Sequence, residues 1–382
     1  MKIIYLYPSL TTLGGADRMI VQKANYLAEH SEHEVYIITE SQGNSPFVYP
    51  LSCKIHHIDT GINFNRQYKY KFIIRILYYR YMAGKYKKAI ARLLDKIQPD
   101  LVISTLGRES DFITRLKDGS KKIGEAHTTR VNLRNVQGLL DGGGIHRLAG
   151  KRLKQKIEKT IRELDAFVVL NEHEQKAWGD VKPAIIIPNS LPFYPIIPGK
   201  LSARKAICVG RLEWEKGIDR LIDVWQAVHV KYPDWILDIY GEGTWQEKLQ
   251  QKIIHQKSET YIHLKGTCSD IASEYLGSSI LVLTSRYEGF PMVLLEAMAC
   301  GVPCVAYNCP FGPQSIITDG ENGFLVDEGN KEQMVEKIGL LIEDEQKRRE
   351  FGNNARKSVQ KYSQENIMKE WNSLFNSVTS RT

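Results

Sequence analysis

The sequence lacks any long apolar run. Its residues are 42% hydrophobic and 25% charged, a balance typical of globular proteins. No stretch approaches the roughly 18–20 apolar residues that a membrane-spanning helix needs. The opening MKIIYLYPSL has one lysine and a short apolar run that ends at Pro8, which favours a β-strand over a secretory signal peptide. We therefore expect a cytoplasmic protein, and a chain of 382 residues predicts two domains.

Cysteine is scarce, and its spacing does not complete a metal site. Among the six cysteines, Cys300 and Cys304 are close enough in sequence to share a metal ion. The motif CGVPC has no second cysteine pair or histidine cluster that would supply the remaining ligands of a four-coordinate site. Buried free thiols are therefore the favoured interpretation.

Acidic residues are nearly absent from one segment. Residues 66–96 contain ten lysines and arginines but only one acid, Asp95, and apolar and aromatic residues separate the cations. A second basic run covers residues 147–162, and the net charge of the chain is +8. Such segments suit an anionic surface, either a membrane or a nucleic acid, although a core helix over Ile73–Tyr81 with a solvated outer face is the alternative. We favour the membrane and expect no nucleic-acid partner.

Short apolar segments alternate with helical patterns along the whole chain. Segments such as KIIYLY, EVYIIT, AICVG and PCVAY are continuous apolar runs, which are typical of strands covered on both faces. The alternation predicts parallel sheets with helices on each side. Residues 192–203 contain three prolines and predict a linker between two α/β halves. An amphipathic helix with Ser363 as its N-cap follows the second half.

Two loops that follow predicted strands carry groups suited to an anion. Ligands of open parallel sheets bind beyond the carboxyl ends of the strands. Gly14 and Gly15 in TTLGGADR precede a helix, where free N–H groups favour an anion, although a simple turn explains them equally well. This loop is not the GxGxxG fingerprint, so it does not favour NAD. Arg211 and Lys216 in VGRLEWEKG suit a diphosphate, the alternative being surface charges beside two nearby glutamates.

The stretch EGFPMVLLE contains two carboxylates, Glu288 and Glu296, eight residues apart. Pro291 fits the first position of a helix, which leaves Glu288 in the preceding loop and Glu296 inside the helix. The free amides of Met292 and Val293 then lie beside Glu288. Carboxylates accept hydrogen bonds from vicinal hydroxyls and amides suit anionic oxygens, so the stretch predicts a nucleotide-sugar site. The alternative is that Glu288 only complements the helix dipole.

One histidine also follows a strand. His127 lies in GEAHTTR, at the predicted carboxyl end of a strand in the first half. A structural role and a role in the site are equally open for a histidine in this position.

Together these motifs resemble the retaining glycosyltransferases of family 4, which have the GT-B fold. The signature of that family is matched by Glu288, Gly289, Phe290, Pro291 and Glu296. Its paired-glycine loop is matched by GGADR, with an aspartate in place of the usual glutamate, and its "PNG" element by IPNS. The resemblance spans essentially the whole chain, is strongest over residues 205–330 and is weakest over residues 40–100.

The resemblance implies an α/β fold of two Rossmann-like, doubly wound domains that face each other across a cleft. Residues 1–191 are expected to form the acceptor domain and residues 204–362 the donor domain, joined by the linker at 192–203. The helix in residues 363–382 is expected to pack back on the first domain.

The resemblance also implies residue roles. Glu288 would hold the donor sugar, Glu296 the ribose, and Arg211 and Lys216 the leaving diphosphate, while His127 would contact the sugar near the reacting centre. The base would lie near Gly266 and Thr267. Further donor contacts are expected from Gly14, Gly15, Gly289, Phe290, Pro291, Met292 and Val293.

The implied reaction is transfer of a hexose or N-acetylhexosamine from a UDP-sugar, with retention, to a glycan or lipid-linked acceptor in bacterial surface-polysaccharide assembly. The chain contains no Asp-x-Asp triplet, so we predict a metal-independent enzyme without a cofactor, peripherally bound to the inner face of the cytoplasmic membrane. The loop CPFGPQSII departs from the common family pattern near the expected donor sugar. Alternatives are a nucleotide-sugar epimerase, a phosphorylase or a basic nucleic-acid-binding protein.

Overall fold

The computed structural model describes residues 1–12, 14–310 and 312–380, without the side chains of Phe72, Ile73 and Ile145. The chain divides into two compact units. Unit 1 comprises Met1–Pro188 and Ile367–Thr382, and unit 2 comprises Asn189–Asn366.

Unit 1 is built on a parallel sheet. Its strands are β1 (Lys2–Tyr7), β2 (Glu34–Thr39), β3 (His56–Asp59), β4 (Leu101–Ser104), β5 (Lys121–Glu125), β6 (Ala166–Val169) and β7 (Ile185–Ile186). They pair in the order β3-β2-β1-β4-β5-β6-β7. The chain order reverses between β1 and β4, and ligands of such sheets bind at the carboxyl ends around this reversal.

The helices of unit 1 connect and cover these strands. They are α1 (Gly15–His30), α2 (Phe72–Ile97), α3 (Val136–Asp141), α4 (Ile145–Glu163) and α5 (Glu172–Trp178). The helical spacing of α1 buries Met19, Ile20, Ala24 and Leu27 on one face. The second half of α2 buries Tyr86, Ile90 and Leu94 in the same way. None of the helices in the described ranges is apolar over enough length to cross a bilayer.

Unit 2 repeats this plan with a second parallel sheet. Its strands are β8 (Lys205–Val209), β9 (Ile236–Tyr240), β10 (Ile262–Gly266), β11 (Ile280–Leu283), β12 (Cys304–Tyr307) and β13 (Gly323–Val326), in the order β10-β9-β8-β11-β12-β13. Its helices are α6 (Ile218–Lys231), α7 (Gln246–His255), α8 (Ile271–Leu276), α9 (Met292–Ala299), α10 (Lys331–Glu343) and α11 (Glu345–Ser358). Here the order reverses between β8 and β11, so the loops after these two strands are adjacent.

The strands are buried because helices cover both faces of each sheet. Every residue of β11 and β12 is buried, as are all four residues of β4 and β6. Full burial of a Leu, Ile or Val side chain stabilises the fold by about 1.5–3 kcal/mol. The prediction of two doubly wound α/β domains is thus confirmed.

The last helix, α12 (Gln364–Thr379), begins where the sequence predicts it. The backbone N–H of Asn366 donates a hydrogen bond of 3.3 Å to Oγ of Ser363. Within unit 1, Trp371 of this helix is buried, and Nζ of Lys23 in α1 lies 4.1 Å from the centre of its indole ring.

Candidate active site

Two adjacent loops of unit 2 bring Lys216 and Glu288 into contact. Lys216 follows β8 and Glu288 follows β11, and these strands are neighbours in the sheet. Nζ of Lys216 lies 2.7 Å from Oε1 of Glu288, and Oγ of Ser285 donates to the same oxygen at 2.6 Å. The Glu288 side chain is 8% exposed and that of Lys216 is 23% exposed. A nearly buried carboxylate is therefore held in one orientation by two donors beside a cation that solvent still reaches.

A glycine allows these two loops to approach each other. Gly217 has a φ of 62°, and a Cβ atom there would lie 2.0 Å from the carbonyl oxygen of Thr284. The hydroxyl of Thr284 donates to the carbonyl of Gly217 at 3.0 Å. Any side chain at position 217 would push the loop of Lys216 away from the loop of Glu288.

Arg211 lies in the same loop as Lys216 but is more open to solvent. Its side chain is 67% exposed and forms an ion pair of 2.6 Å with Glu215, four residues further along the chain. Burial raises the pKa of Tyr287, as do Glu215 and Glu288, whereas Arg211 and Lys216 lower it. Tyr287 therefore lies within electrostatic range of both predicted diphosphate ligands and of the predicted sugar ligand.

The helix that follows Glu288 begins one residue later than predicted. Pro291 does not occupy the first helical position: its ψ of 91° is extended, so it is the cap residue and α9 starts at Met292. The N–H of Leu294 donates to the carbonyl of Pro291 at 3.0 Å. The amides of Met292 and Val293 still lie in the first turn, where N–H groups have no intrahelical acceptor. Phe290 is 8% exposed and belongs to the core.

The loop CPFGPQSII packs against Glu288. A Cβ atom on Gly312 would lie 2.6 Å from Cβ of Glu288 and 2.9 Å from Cδ of Pro291. The N–H of Glu288 donates to the carbonyl of Pro310 at 3.4 Å. Phe311 of this loop lies outside the described residues. The unusual loop is thus a wall of the Glu288 site.

Glu296 lies in α9 with its own buried partner. The hydroxyl of Tyr275 donates to Oε2 of Glu296 at 3.0 Å, and the two residues are 0% and 7% exposed. Burial and the Glu296 carboxylate raise the pKa of Tyr275. Sequence reasoning missed Tyr275, because nothing in its local pattern shows that its hydroxyl reaches a carboxylate 21 residues away.

The loops after β8, β9 and β10 meet at the same edge of the sheet. Gly266 has a φ of 71°, and a Cβ atom built there would meet no neighbouring atom within 4 Å. The carbonyl of Gly266 accepts a hydrogen bond of 2.8 Å from the N–H of Gly241. A Cβ on Gly241 would lie 1.9 Å from the carbonyl oxygen of Gly210. The hydroxyl of Thr267 lies 3.5 Å from Oε1 of Glu242. Gly266 and Thr267 therefore border an open region at the carboxyl edge.

The paired glycines of unit 1 lie at the start of α1. Gly14 is the cap residue and Gly15 is the first helical residue. The carboxylate of Asp17 accepts hydrogen bonds from the hydroxyl of Tyr7 at 2.7 Å and from the N–H and hydroxyl of Thr12 at 3.1 and 2.8 Å. The aspartate that replaces the usual family glutamate therefore ties the glycine loop to the end of β1.

His127 of unit 1 lies beside a buried carboxylate. Its Nε2 is 3.2 Å from Oε1 of Glu125, and its side chain is 10% exposed. Nζ of Lys23 contacts the same oxygen. Burial raises the pKa of Glu125, but Lys23 and His127 outweigh this effect and lower the pKa to about 2. Sequence reasoning missed Glu125, although its position two residues before His127 at a strand end was a usable signal.

The two cysteines of CGVPC follow the sequence prediction. Cys300 and Cys304 are buried free thiols, and burial raises the pKa of Cys300 to about 12. Within residues 1–12, 14–310 and 312–380, no three histidine, cysteine or acidic side chains are grouped so that they could hold a metal ion.

The sequence matches one family model and several curated glycosyltransferases. Residues 197–358 match the model described as glycosyl transferases group 1. An uncharacterized glycosyltransferase of Haemophilus influenzae is 29% identical over 379 aligned residues. The alignment covers 98% of this chain and 99% of that protein. The amylovoran biosynthesis glycosyltransferase AmsD of Erwinia amylovora is 33% identical over 56% of this chain and 66% of its own length.

The fold matches solved structures over its whole length. A TarM variant of S. aureus, crystallised with fondaparinux, α-GlcNAc-glycerol and UDP, aligns with a TM-score of 0.77 over 98% of this chain and 99% of its own, at 18% identity. That likeness shows the GT-B fold. Residues 197–358 are thus similar to the glycosyl transferases group 1 family, and the curated relatives that match the chain are themselves named glycosyltransferases.

Proposed function

We propose that this chain is a retaining family 4 glycosyltransferase that transfers a hexose or N-acetylhexosamine from a UDP-sugar to a glycan or lipid-linked acceptor in cell-surface polysaccharide assembly. One observation carries the proposal: the nearly buried Glu288 contacts Lys216 at the strand reversal of unit 2, beside the first turn of α9. The names of AmsD and of the UDP-bound TarM variant support a surface glycan as product and UDP as nucleotide.

The donor sugar is assigned to Glu288. Oε1 of this residue already accepts from Ser285 and Lys216, which fixes the plane of the carboxylate before the substrate arrives. Sugar hydroxyls donate to the remaining lone pairs of a carboxylate. Orientation of this kind positions the anomeric carbon, and misplacement of a reacting atom by about 1 Å can lower a rate by roughly a hundredfold.

The leaving diphosphate is assigned to Lys216, Arg211 and the first-turn amides of α9. Negative charge develops on the departing UDP, and fixed donors directed at that charge lower the barrier. The ammonium of Lys216 is a point charge on a flexible stem, while the guanidinium of Arg211 offers two parallel donors to a phosphate. The ribose is assigned to Glu296, which Tyr275 orients, and the base to the loop at Gly266 and Thr267.

A donor screen tests this function. The protein is incubated with UDP-, GDP- and ADP-sugars in turn, and release of the free nucleotide is measured. We expect release from a UDP-hexose or a UDP-N-acetylhexosamine, and release at least about a hundredfold slower for the variant Glu288→Gln. Release from none of the donors, or equal release by the variant, contradicts the assignment.

Turnover is predicted to survive removal of divalent metal ions. Lys216, Arg211 and the first-turn amides of α9 supply the charge that a metal would otherwise provide at the diphosphate. Nucleotide release is measured after dialysis against EDTA and again after Mg²⁺ or Mn²⁺ is added back. Unchanged rates are expected, and loss on chelation with recovery on addition would show that the diphosphate assignment is wrong.

We also propose that unit 1 docks on the anionic inner face of the cytoplasmic membrane through a patch formed by residues 66–96, here called the docking patch. Four of its apolar residues, Ile74, Ile76, Leu77 and Tyr81, are 45–62% exposed, and Tyr68 and Tyr70 beside them are 62% and 44% exposed. A core helix over this segment would have buried them. The side chain of Ile73, also part of the predicted segment, lies outside the described residues.

Charge and apolar surface act together in this patch. Its cations include the exposed Lys85, Lys87 and Lys88, and each cation near an anionic membrane contributes about 1 kcal/mol to binding. Exposed aromatic and aliphatic side chains add interfacial insertion to this attraction. The combination favours reversible docking on anionic lipid over a merely solvated helix.

Vesicle sedimentation tests the docking patch. The protein is expected to pellet with anionic vesicles at low salt, to remain in solution with neutral vesicles, and to be released by raised salt. Changing Lys85, Lys87 and Lys88 together to glutamate should abolish pelleting. A charge-matched control changes the exposed Lys200, Lys248 and Lys357 of unit 2 to glutamate and should still pellet. Pelleting by the first variant, or none by the parent protein, overturns the proposal.

A further inference from the structure

Unit 1 contains a charged cluster that the assignments above do not use. From its geometry we infer that Glu125 is a positioning residue, which fixes the orientation and tautomer of the His127 ring, and that Lys23 is the counter-charge of Glu125. The effect on transfer rests on the proposed glycosyl transfer and on the role that the family resemblance implies for His127, which is contact with the donor sugar near the reacting centre. The orientation of the ring does not depend on that function and can be measured separately.

The strand geometry brings Glu125 and His127 together. Glu125 is the last residue of β5, and His127 lies two positions further along. Side chains two positions apart on an extended chain emerge on the same side. The contact of 3.2 Å joins Nε2 of the histidine to Oε1 of the glutamate, and the side chains are 10% and 1% exposed. The carboxylate thus faces one particular nitrogen of the ring.

The carboxylate 3.2 Å from Nε2 acts on the ring through its charge, because the contact lacks the geometry of a normal hydrogen bond, and this charge favours the neutral form that carries a proton on Nε2. In the neutral ring, Nδ1 is then the nitrogen without a proton. Within the described residues, neither ring nitrogen makes a hydrogen bond of normal geometry, so Nδ1 has no protein partner. Buried polar atoms normally have a partner, so a histidine that served packing alone would not be expected to leave Nδ1 in this state.

Lys23 keeps the carboxylate charged. Its Nζ contacts Oε1 of Glu125, and both side chains are at most 5% exposed. The ammonium also lies 4.1 Å from the ring centre of Trp371 and 5.7 Å from that of Tyr5, in cation–π contacts that compensate part of its desolvation. Lys23 therefore contacts the carboxylate of Glu125 and two aromatic rings at the same time.

The charges next to Glu125 favour its ionised form. Burial raises its pKa, whereas Lys23 and His127 lower it to about 2. The other titratable groups that face it, Tyr5 and Tyr7, have raised pKa values, chiefly through their own burial, and stay neutral. The neighbouring cations thus favour the ionised form of Glu125 beside the imidazole.

A purely structural ion pair is the competing explanation. Buried ion pairs contribute little net stability, but removing one partner leaves an unpaired charge and destabilises the fold. A structural pair would therefore affect stability without affecting turnover through the histidine. A positioning residue acts on turnover only while the histidine is present, and this difference separates the two explanations.

A double-mutant cycle measures that difference. Glu125→Gln is expected to lower kcat roughly tenfold to a hundredfold, with the KM for the donor changed by less than about threefold. In the background of His127→Ala, Glu125→Gln should have no further effect on kcat. A second variant, Lys23→Met with Glu125→Gln, removes both buried charges and gives the same kinetic result if Glu125→Gln alone fails to fold. A full additional loss in the His127→Ala background overturns the inference.

The chain offers a matched control at the other end of the same strand. Lys122, the second residue of β5, forms a buried ion pair with Asp118, and the two side chains are 6% and 8% exposed. Asp118→Asn removes a carboxylate from a lysine in a similar environment but far along the strand from His127. It is expected to lower the melting temperature as Glu125→Gln does while kcat is unchanged. An equal loss of kcat in this control would assign both effects to stability.

The ring itself gives a readout independent of catalysis. The ¹⁵N shifts of labelled histidine distinguish the two neutral tautomers. We expect His127 to carry its proton on Nε2 in the parent protein and to populate both tautomers in Glu125→Gln. A proton on Nδ1 in the parent protein overturns the inference. If His127→Ala turns over like the parent, the proposed role of His127 in transfer is wrong, and the tautomer still decides the role of Glu125.

Discussion

Glu288→Gln should lower turnover at least about a hundredfold, because the amide cannot reproduce two hydrogen bonds from sugar hydroxyls to a carboxylate. Losing both costs about 2–4 kcal/mol, and about 1.4 kcal/mol corresponds to a factor of ten. The side chain is 8% exposed and accepts from Ser285 and Lys216, so water does not replace the lost contacts easily. Initial rates of UDP release at saturating donor measure the effect.

Two further variants serve as controls for Glu288. Glu296→Gln should weaken UDP binding, measured by calorimetry, more than it lowers kcat, because Glu296 is assigned to the ribose. Ser285→Ala removes one of the donors to Glu288 and should lower kcat by less than about tenfold. Equal losses of kcat for Glu288→Gln and Glu296→Gln, with unchanged UDP binding, would contradict the division of roles.

Lys216→Met should lower kcat by about a hundredfold to a thousandfold, the usual effect of removing one group that stabilises developing negative charge. Methionine retains most of the apolar stem, so the change removes the charge with little change in packing. The KM for the donor should change less than kcat, because the diphosphate is more negative in the transition state.

The control for Lys216 lies at the amino end of the same strand. Lys205, the first residue of β8, is 18% exposed and pairs with Glu274 at 3.3 Å, whereas Lys216 is 23% exposed. Lys205→Met therefore removes a comparably buried and paired lysine away from the carboxyl edge of the sheet. It should leave kcat within about twofold of the parent. A similar loss in both variants would mean that lysine pairing in unit 2 supports the fold and not the reaction.

The sequence predicts the strands whose two faces are both buried, because such strands need apolar residues throughout. The runs ILVL of β11 and CVAY of β12 are apolar because both faces of the sheet are covered. The edge strand β3 has the sequence HHID with no buried residue, so no apolar run marks it. The sequence pattern predicts Pro291 one residue too far into its helix, because the fixed φ of proline suits both the cap and the first turn and only ψ separates the two positions.

The site could be predicted in its charged residues but not in the groups that orient them. Glu288 and Lys216 belong to loops whose position after strands is visible in the sequence. Their contact depends on which strands are neighbours, and that order appears only in the folded sheet. The partners Ser285 and Tyr275 are common residues in ordinary local patterns, and their function follows from three-dimensional proximity alone.

The exposure of the apolar residues in the first half of α2 could not be predicted from the sequence. The same pattern of cations and apolar residues fits a core helix and an exposed one. In the structure the two halves of α2 differ. Met82, Tyr86 and Ile90 are buried, whereas Ile74 and Leu77 nearer the start of the helix are 55% and 62% exposed. The periodicity alone did not show where along the helix the contact with the core begins.

The stereochemistry of the sugar that the enzyme releases tests the central claim most directly. Water serves as the acceptor in this experiment, and the UDP-sugar that reacts fastest in the donor screen is hydrolysed inside an NMR tube. The first ¹H spectra, recorded before the free sugar equilibrates, report the anomer formed at the enzyme. Retaining transfer from an α-linked UDP-sugar predicts that UDP and the α-anomer appear together and that Glu288→Gln produces neither at a comparable rate. Initial appearance of the β-anomer would contradict retention, and failure to release UDP from any donor would contradict the proposed glycosyl transfer itself.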